Sequence, residues 1–209
     1  MVEQSLWMQK VAADPGHSQW YIERFRQMAR AGKDLAGEAR FVDAMAPRSA
    51  RILDAGCGPG RVAGVLAAAG HDVVGVDVDP ELIAAAEQDH PGPRYLVGDL
   101  AELDLPARGI AEPFDVIVSA GNVMTFVAPS TRVEILRRLH RHCAEDGRVV
   151  IGFGADRDYG FDQFFDDAAA AGLTTDLLLG TWDLRPFTGD SDFLVAVLRP
   201  GQRRPQREA

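Results

Sequence analysis

The sequence predicts an α/β fold: a mostly parallel sheet with helices on both faces, closed by an antiparallel strand. Three observations lead there. Apolar strand-like runs alternate with helix-like segments through the middle of the chain, the rhythm of a parallel sheet. The runs are continuous rather than alternating, as in strands covered on both faces. After Phe153 the rhythm breaks, and the last two strand candidates are joined only by Thr181 to Ser191, too short a link for a parallel crossover.

In chain order, His17 to Met45 reads as two helices broken near Gly32, and Pro47 ends the second. Arg51–Ala55 is a short apolar strand that stops at a glycine cluster. Alanine-rich Val62 to Ala69 suits a helix, with Gly70 as its C-cap. Asp72–Asp77 is the second strand, and Pro80 opens a helix through Glu87. Arg94–Val97 and Phe114–Ser119 are the third and fourth strands. Pro129 to Cys143 has helical spacing, with Val133, Leu136, Leu139 and Cys143 on one side. Arg148–Phe153 is a fifth strand, Phe161 to Ala171 a helix, Leu173 to Gly180 a strand and Asp192 to Leu198 the last. Pro186 and Gly189 in the final link favour a hairpin, which sets the last strand antiparallel at or near an edge.

The 209 residues suffice for one domain with its own core. Residues 1–46 are expected to form a helical cap of that domain, 47–199 its core and 200–209 a disordered tail. Apolar residues make up 46% and charged residues 25%, which excludes a wholly disordered chain. With 22 Lys and Arg against 31 Asp and Glu, the net charge is −9. That balance disfavours a phosphate backbone or an anionic membrane as partner, so neither nucleic acid nor membrane is expected. Nothing in the composition indicates an oligomeric state. Cys57 and Cys143, the two cysteines, argue against a disulfide framework, and no Cys/His set has zinc spacing; no metal is expected. Met1 to Trp7 lacks the regions of a signal peptide, and no apolar run nears the ~20 residues of a membrane span. A cytoplasmic location is the default expectation.

Three segments carry chemistry. Asp54 ends the first strand, and Gly56, Gly58 and Gly60 follow it in G-x-G-x-G spacing before a helix. That is the context of a nucleotide-binding turn, and equally of a plain tight turn. Asp77 ends the second strand, about 20 residues past the first glycine, where a carboxylate accepts from both ribose hydroxyls. Asp79, just before Pro80, fits a helix N-cap instead. Asp99, after Gly98, either accepts from an adenine amino group or makes a Gly-Asp turn. Three consecutive strands thus end in aspartate at the carboxyl edge of the sheet, where open α/β sheets bind ligands.

Leu53 to Arg61, Gly75 to Pro80, Gly98 to Leu100 and Phe114 to Ser119 resemble, in order and spacing, the successive motifs of class I S-adenosylmethionine-dependent methyltransferases, over roughly residues 40–198. The resemblance implies a Rossmann-like, doubly wound, seven-stranded sheet whose last strand is antiparallel, methyl transfer as the activity, and S-adenosyl-L-methionine as cofactor. It also implies roles. The turn from Asp54 through Gly56 and Gly58 to Gly60 faces the methionine part of the cofactor. Asp77 holds the ribose diol and Val78 packs on adenine. Asp99 meets the adenine amino group, with the Leu100 backbone beside it, and Ala120 lies near the reacting centre. Helices before the sheet cover the cofactor in this family, so Tyr21 and Arg26 are placed to reach the methionine carboxylate. The plainer alternative is an amphipathic cap helix with Trp20, Phe25 and Met28 packed inward.

Charge separates this reading from an NAD-dependent oxidoreductase. S-adenosylmethionine carries a net positive charge and a dinucleotide carries pyrophosphate, while Asp54, Asp77, Asp79 and Asp99 gather at one edge. One unit pair at ~5 Å and an effective dielectric of ~20 is worth ~3 kcal/mol before desolvation. A non-catalytic module that binds the cofactor is the other alternative. No catalytic residue is identifiable, because in-line displacement at an activated methyl asks chiefly for alignment. The loops after the fourth, fifth and sixth strands and the first ~45 residues supply Trp7, Trp20, Tyr21, Phe126, Tyr159, Trp182 and Phe187, with Arg26, Arg157 and Arg185. Such a lining suits a small, partly apolar acceptor with an oxygen or nitrogen nucleophile.

Overall fold

The apolar runs in the middle of the sheet become strands because they bury both faces, while the runs at its edges bury less. The computed structural model describes residues 2–155 and 157–201. Seven strands form one sheet: β1 (Arg51–Ala55), β2 (Asp72–Asp77), β3 (Arg94–Val97), β4 (Phe114–Ser119), β5 (Cys143–Gly154), β6 (Leu173–Leu179) and β7 (Phe193–Pro200). Their order is β3-β2-β1-β4-β5-β7-β6. The first five are parallel, with Ile52 beside Val73 on one flank and Val116 on the other. β7 runs antiparallel to both β5 and β6. It therefore lies inside the sheet, one place from the edge that β6 forms, and β3 forms the opposite edge. This explains the opposite burial of β7 and β6: Leu194 to Leu198 are buried, while Thr174 to Leu177 face solvent.

Eight α-helices accompany the sheet among the described residues: α1 (Leu6–Ala13), α2 (His17–Arg30), α3 (Gly37–Met45), α4 (Arg61–Ala68), α5 (Pro80–Asp89), α6 (Val123–Phe126), α7 (Arg132–His142) and α8 (Phe161–Ala170). Alternate strand residues choose the layer. Ile52, Val116, Val118 and Val150 pack with Val42 of α3, Leu66 of α4 and Ile83 of α5. Leu53, Ile117, Val149 and Ile151 pack with Leu136 and Leu139 of α7 and Phe164 of α8. Each such side chain contributes roughly 1.5–3 kcal/mol on full burial. No helix among the described residues is long and apolar enough to cross a membrane.

The structure departs from the sequence reading in four places. α1 was not foreseen: eight residues are too few to stand alone in water, and it is held by Trp7, which is packed and bonded to a residue far along the chain. Pro129–Thr131 is a separate 3-10 turn rather than the first turn of α7. Cys143 opens β5 instead of closing the helix, so that strand begins earlier than Arg148. Pro200 ends β7, and Gly201 N–H donates to the Gly172 carbonyl at 2.8 Å. The expected tail thus loses its first two residues to the fold, and 202–209 lie outside the described residues.

Candidate functional site

Strand order reverses between β1 and β4, and a crevice opens there at the carboxyl ends of the strands. It encloses about 620 Å³ including its mouth. β1 delivers Gly56 and Gly58, β2 delivers Asp77 and Val78, β3 delivers Asp99 and Leu100, and β4 delivers Ala120 and Gly121. These eight come from four separate stretches of sequence, and the parallel register sets them side by side.

The glycine turn is built by close approach. Gly56 has φ +84° and donates its N–H to the Val76 carbonyl at 2.8 Å; a Cβ there would lie 2.5 Å from the Val123 methyls. Gly60 has φ +81°, and a Cβ there would stand 2.8 Å from that of Ala86. Gly60 does not line the crevice: its smallness lets α4 and α5 approach.

The four aspartates divide the work. Asp54 is buried beneath the turn, where it accepts the Ala63 N–H at 3.1 Å. It braces the start of α4 and does not line the crevice, so the expectation that it faces the ligand directly is corrected. Burial pushes its carboxyl up to about 7. Asp77 does line the crevice. One of its oxygens accepts from Gly58 N–H at 2.8 Å and the other from Asp79 N–H at 3.0 Å, and burial pushes it up to about 6. Asp79 caps α5 through the Glu81 N–H at 2.9 Å, as its place before Pro80 predicts. Asp99 lines the crevice and caps the 3-10 turn at Leu100–Glu102, accepting from Ala101 N–H at 2.8 Å. The turn reading is thus observed, and the side chain also faces the crevice.

The N-terminal helices close the crevice. Trp7 and Tyr21 form its wall with Phe126, ring centroids 5.1 Å apart for Trp7–Tyr21 and 5.8 Å for Trp7–Phe126. Asp79 fastens this cover: its second oxygen accepts from Trp7 Nε1 at 2.8 Å and from Ser18 Oγ at 2.5 Å. Arg26 is turned elsewhere. Its guanidinium holds Asp89 of α5 at 2.7 Å and lines neither the crevice nor its extension, so its expected reach to the ligand is corrected. α1 itself had a sequence signal, since Ser5 caps it by accepting the Met8 N–H at 3.2 Å; the tether from Trp7 had none.

A second cleft continues from the first, sharing Trp7, Tyr21, Gly121 and Phe126 with it. Lys10, His17, Trp20, Arg24, Asn122 and Arg157 line the rest of its upper wall. Asn122 has φ +67° and accepts the Gly154 N–H at 2.7 Å, tying the loop after β4 to the end of β5. Tyr159, Trp182 and Phe187, expected near the acceptor, pack away from it: Tyr159 is a core side chain stacked on Phe153, and half-buried Trp182 and Phe187 pack on Phe41 and Phe161. Arg185 pairs with Asp183 on the surface. Lys10 and Arg24 took their places in the cleft unforeseen.

Comparison with known proteins agrees with this geometry. The sequence profile of the methyltransferase domain matches residues 52–147. The chain is 50% identical to a TehB-like SAM-dependent methyltransferase from Corynebacterium glutamicum, with a TM-score of 0.84 over 90% of this chain and 100% of that one. It is 32% identical over 130 residues to the magnesium-protoporphyrin O-methyltransferase of Rhodobacter capsulatus, matching 57% of this chain. It is 30% identical over 105 residues to the malonyl-[acyl-carrier protein] O-methyltransferase of Pectobacterium atrosepticum, matching 50% of this chain. The chain spans only 54% and 40% of the lengths of these two curated relatives.

Proposed function

The chain belongs to the class I S-adenosylmethionine-dependent methyltransferases, and from that premise we propose that it methylates an oxygen or nitrogen of a small molecule with S-adenosyl-L-methionine as donor. The observation that carries this reading is the pair of joined clefts: one walled by strand-end carboxylates, the other by aromatic and cationic side chains, meeting at Gly121 and Phe126.

The residues present fit the cofactor. Each oxygen of Asp77 already accepts one backbone N–H and retains a lone pair for a ribose hydroxyl. Asp99 uses one oxygen on Ala101 and presents the other toward an adenine amino group, with half-buried Val78 and the Leu100 backbone for the ring. Gly56 and Gly58 leave bare backbone for the methionine portion, and Ala120 and Gly121 floor the region of the sulfur. Tyr21 covers that end. Asp54 and Gly60 act through the turn as positioning residues.

When bound, the cofactor supplies a methyl group on a positively charged sulfur that leaves as a neutral thioether. The chain's own residues then have two tasks. Trp7, Tyr21 and Phe126 exclude water above the junction. The second cleft holds the acceptor in line with the sulfur, and alignment of this kind is the main source of acceleration for such a displacement. A base is needed only where the acceptor must lose a proton.

Calorimetric titration with S-adenosylmethionine, S-adenosylhomocysteine and NAD tests the reading. Binding of the first two and not of NAD is expected. Tight NAD binding with no response to the sulfonium would refute it, and cofactor binding without turnover of any acceptor would favour a non-catalytic module.

A further inference from the structure

Resting on the methyl-transfer reading, we propose that the second cleft takes its acceptor as a planar organic acid, with Trp20 against the flat body and Lys10, Arg24 and Arg157 around the anionic group. Trp20 is the first observation. Its side chain is 56% exposed and lines the cleft, although a tryptophan left in water forfeits a large burial energy. It is also held in place. His17, Trp20 and Arg24 stand at i, i+3 and i+7 on one face of α2. The His17 ring stacks on Trp20 at 5.5 Å and 28°, and the Arg24 guanidinium lies 5.8 Å from the indole centroid. With His17 stacked on the ring and Arg24 over it, the indole is fixed and presents its remaining exposed surface, chiefly its edge, to a flat partner in the cleft.

Charge is the second observation, and it is independent of the first. Two carboxylates line this cleft, and both are already engaged: Glu38 grips Arg61 at 2.6 Å, and Asp34 grips Arg40 at 2.6 Å. Among the described residues, no carboxylate lies within 4.0 Å of Lys10, Arg24 or Arg157. Three cations thus converge on one cleft in a chain whose net charge is −9. The cofactor brings a single carboxylate. Even if one of the three serves it, a positive surplus faces the acceptor.

The test uses 4-hydroxybenzoate and 4-hydroxybenzamide, which share a ring and differ in charge. Each is titrated by calorimetry into the full chain saturated with S-adenosylhomocysteine. The acid is expected to bind about tenfold tighter than the amide, the scale of a few exposed ion pairs, and 0.5 M salt should erode that advantage. Replacing Lys10, Arg24 and Arg157 together by glutamine should reduce the preference to less than about threefold. All three are exposed, so the unfolding midpoint should stay within ~2 °C, as for surface changes generally. Trp20→Ala should weaken both probes by the same factor. Equal binding of the two probes, no binding of either, or a preference that survives the triple substitution would overturn the proposal. Failure to bind S-adenosylhomocysteine at all would instead bring down the methyl-transfer reading beneath it.

Discussion

Replacing Asp79 by asparagine should loosen the N-terminal cover while leaving the helix below it capped. One oxygen of Asp79 accepts from Glu81 N–H and caps α5; the other takes Trp7 Nε1 and Ser18 Oγ, across 72 and 61 residues of chain. Asparagine keeps an acceptor for Glu81 but turns an amide NH2 toward two donors. The Ser18 hydroxyl can rotate and accept from that amide. Trp7 Nε1 cannot, so one bond to a charged acceptor is lost outright, worth roughly 1.5–3 kcal/mol. That loss raises the population with an open cover roughly 10- to 150-fold. Native-state hydrogen exchange reads this population directly. Protection of the α1 amides should fall by that factor, with little change in α5. Asp79→Ala should add an N-cap loss of ~1 kcal/mol in global stability. Unchanged exchange over residues 6–13 in Asp79→Asn would show that the tether does not hold the cover.

Other consequences can be checked as simply. Asp77→Ala removes both the proposed ribose acceptor and the brace on Gly58, and should lower S-adenosylmethionine affinity at least about tenfold, more than Asp79→Ala does; equal losses by calorimetry would reject the ribose assignment. Burial holds Asp77 up to about 6 and Asp54 up to about 7, so the folded chain binds these protons more tightly than the unfolded one. Their stabilising contribution is complete below ~pH 4 and disappears as pH rises through 6 to 7. Without cofactor, the urea midpoint should therefore rise from pH 7.5 to 5.5, while cofactor affinity falls as Asp77 takes up its proton; a flat response in both would contradict the burial argument. Gly56→Ala places a Cβ 2.5 Å from Val123 at φ +84° and should cost about 1–3 kcal/mol in urea denaturation. Adding Val123→Ala should recover part of that loss, since it relieves the clash and not the backbone; wild-type stability in the single variant would refute the packing account.

Strands flanked on both sides were legible because burial on two faces leaves an unbroken apolar run, and β1, β2 and β4 begin and end where the sequence places them; β3 does so too, although it is an edge strand with Arg94 and Val97 exposed. The carboxylates at strand ends were legible for a related reason, since a parallel sheet sends every such end to one edge. What escaped was decided by which partner the packed fold brings to each side chain. Arg26 was drawn to Asp89 across 63 residues. Asp54 was claimed by the helix that follows it. Trp182 packs against the core because Gly152 on β5 leaves room for its ring: a Cβ there would sit 2.3 Å from the indole. His142 stands in the last turn of α7, and its Nε2 accepts the Leu105 N–H at 3.1 Å, a partner 37 residues away. Each of these is a choice between two local possibilities that only tertiary packing decides.

The place of β7 has a consequence for the chain as it leaves the ribosome. β1 to β5 can assemble in the order they are made, since each finds its neighbour among segments already synthesised. β5 then waits with an open hydrogen-bonding edge carrying Val149, Ile151 and Phe153, because its partner begins about 40 residues later. β6 emerges in between and cannot fill the gap, having its own place on the far side of β7. At typical elongation rates of about 5–20 residues per second, the wait lasts roughly 2–8 s. An apolar strand edge exposed for that long is a template for pairing with another nascent chain. Yield in the cell should therefore depend on how fast the last stretch is translated, and on chaperones able to hold that edge, more than on the stability of the finished fold.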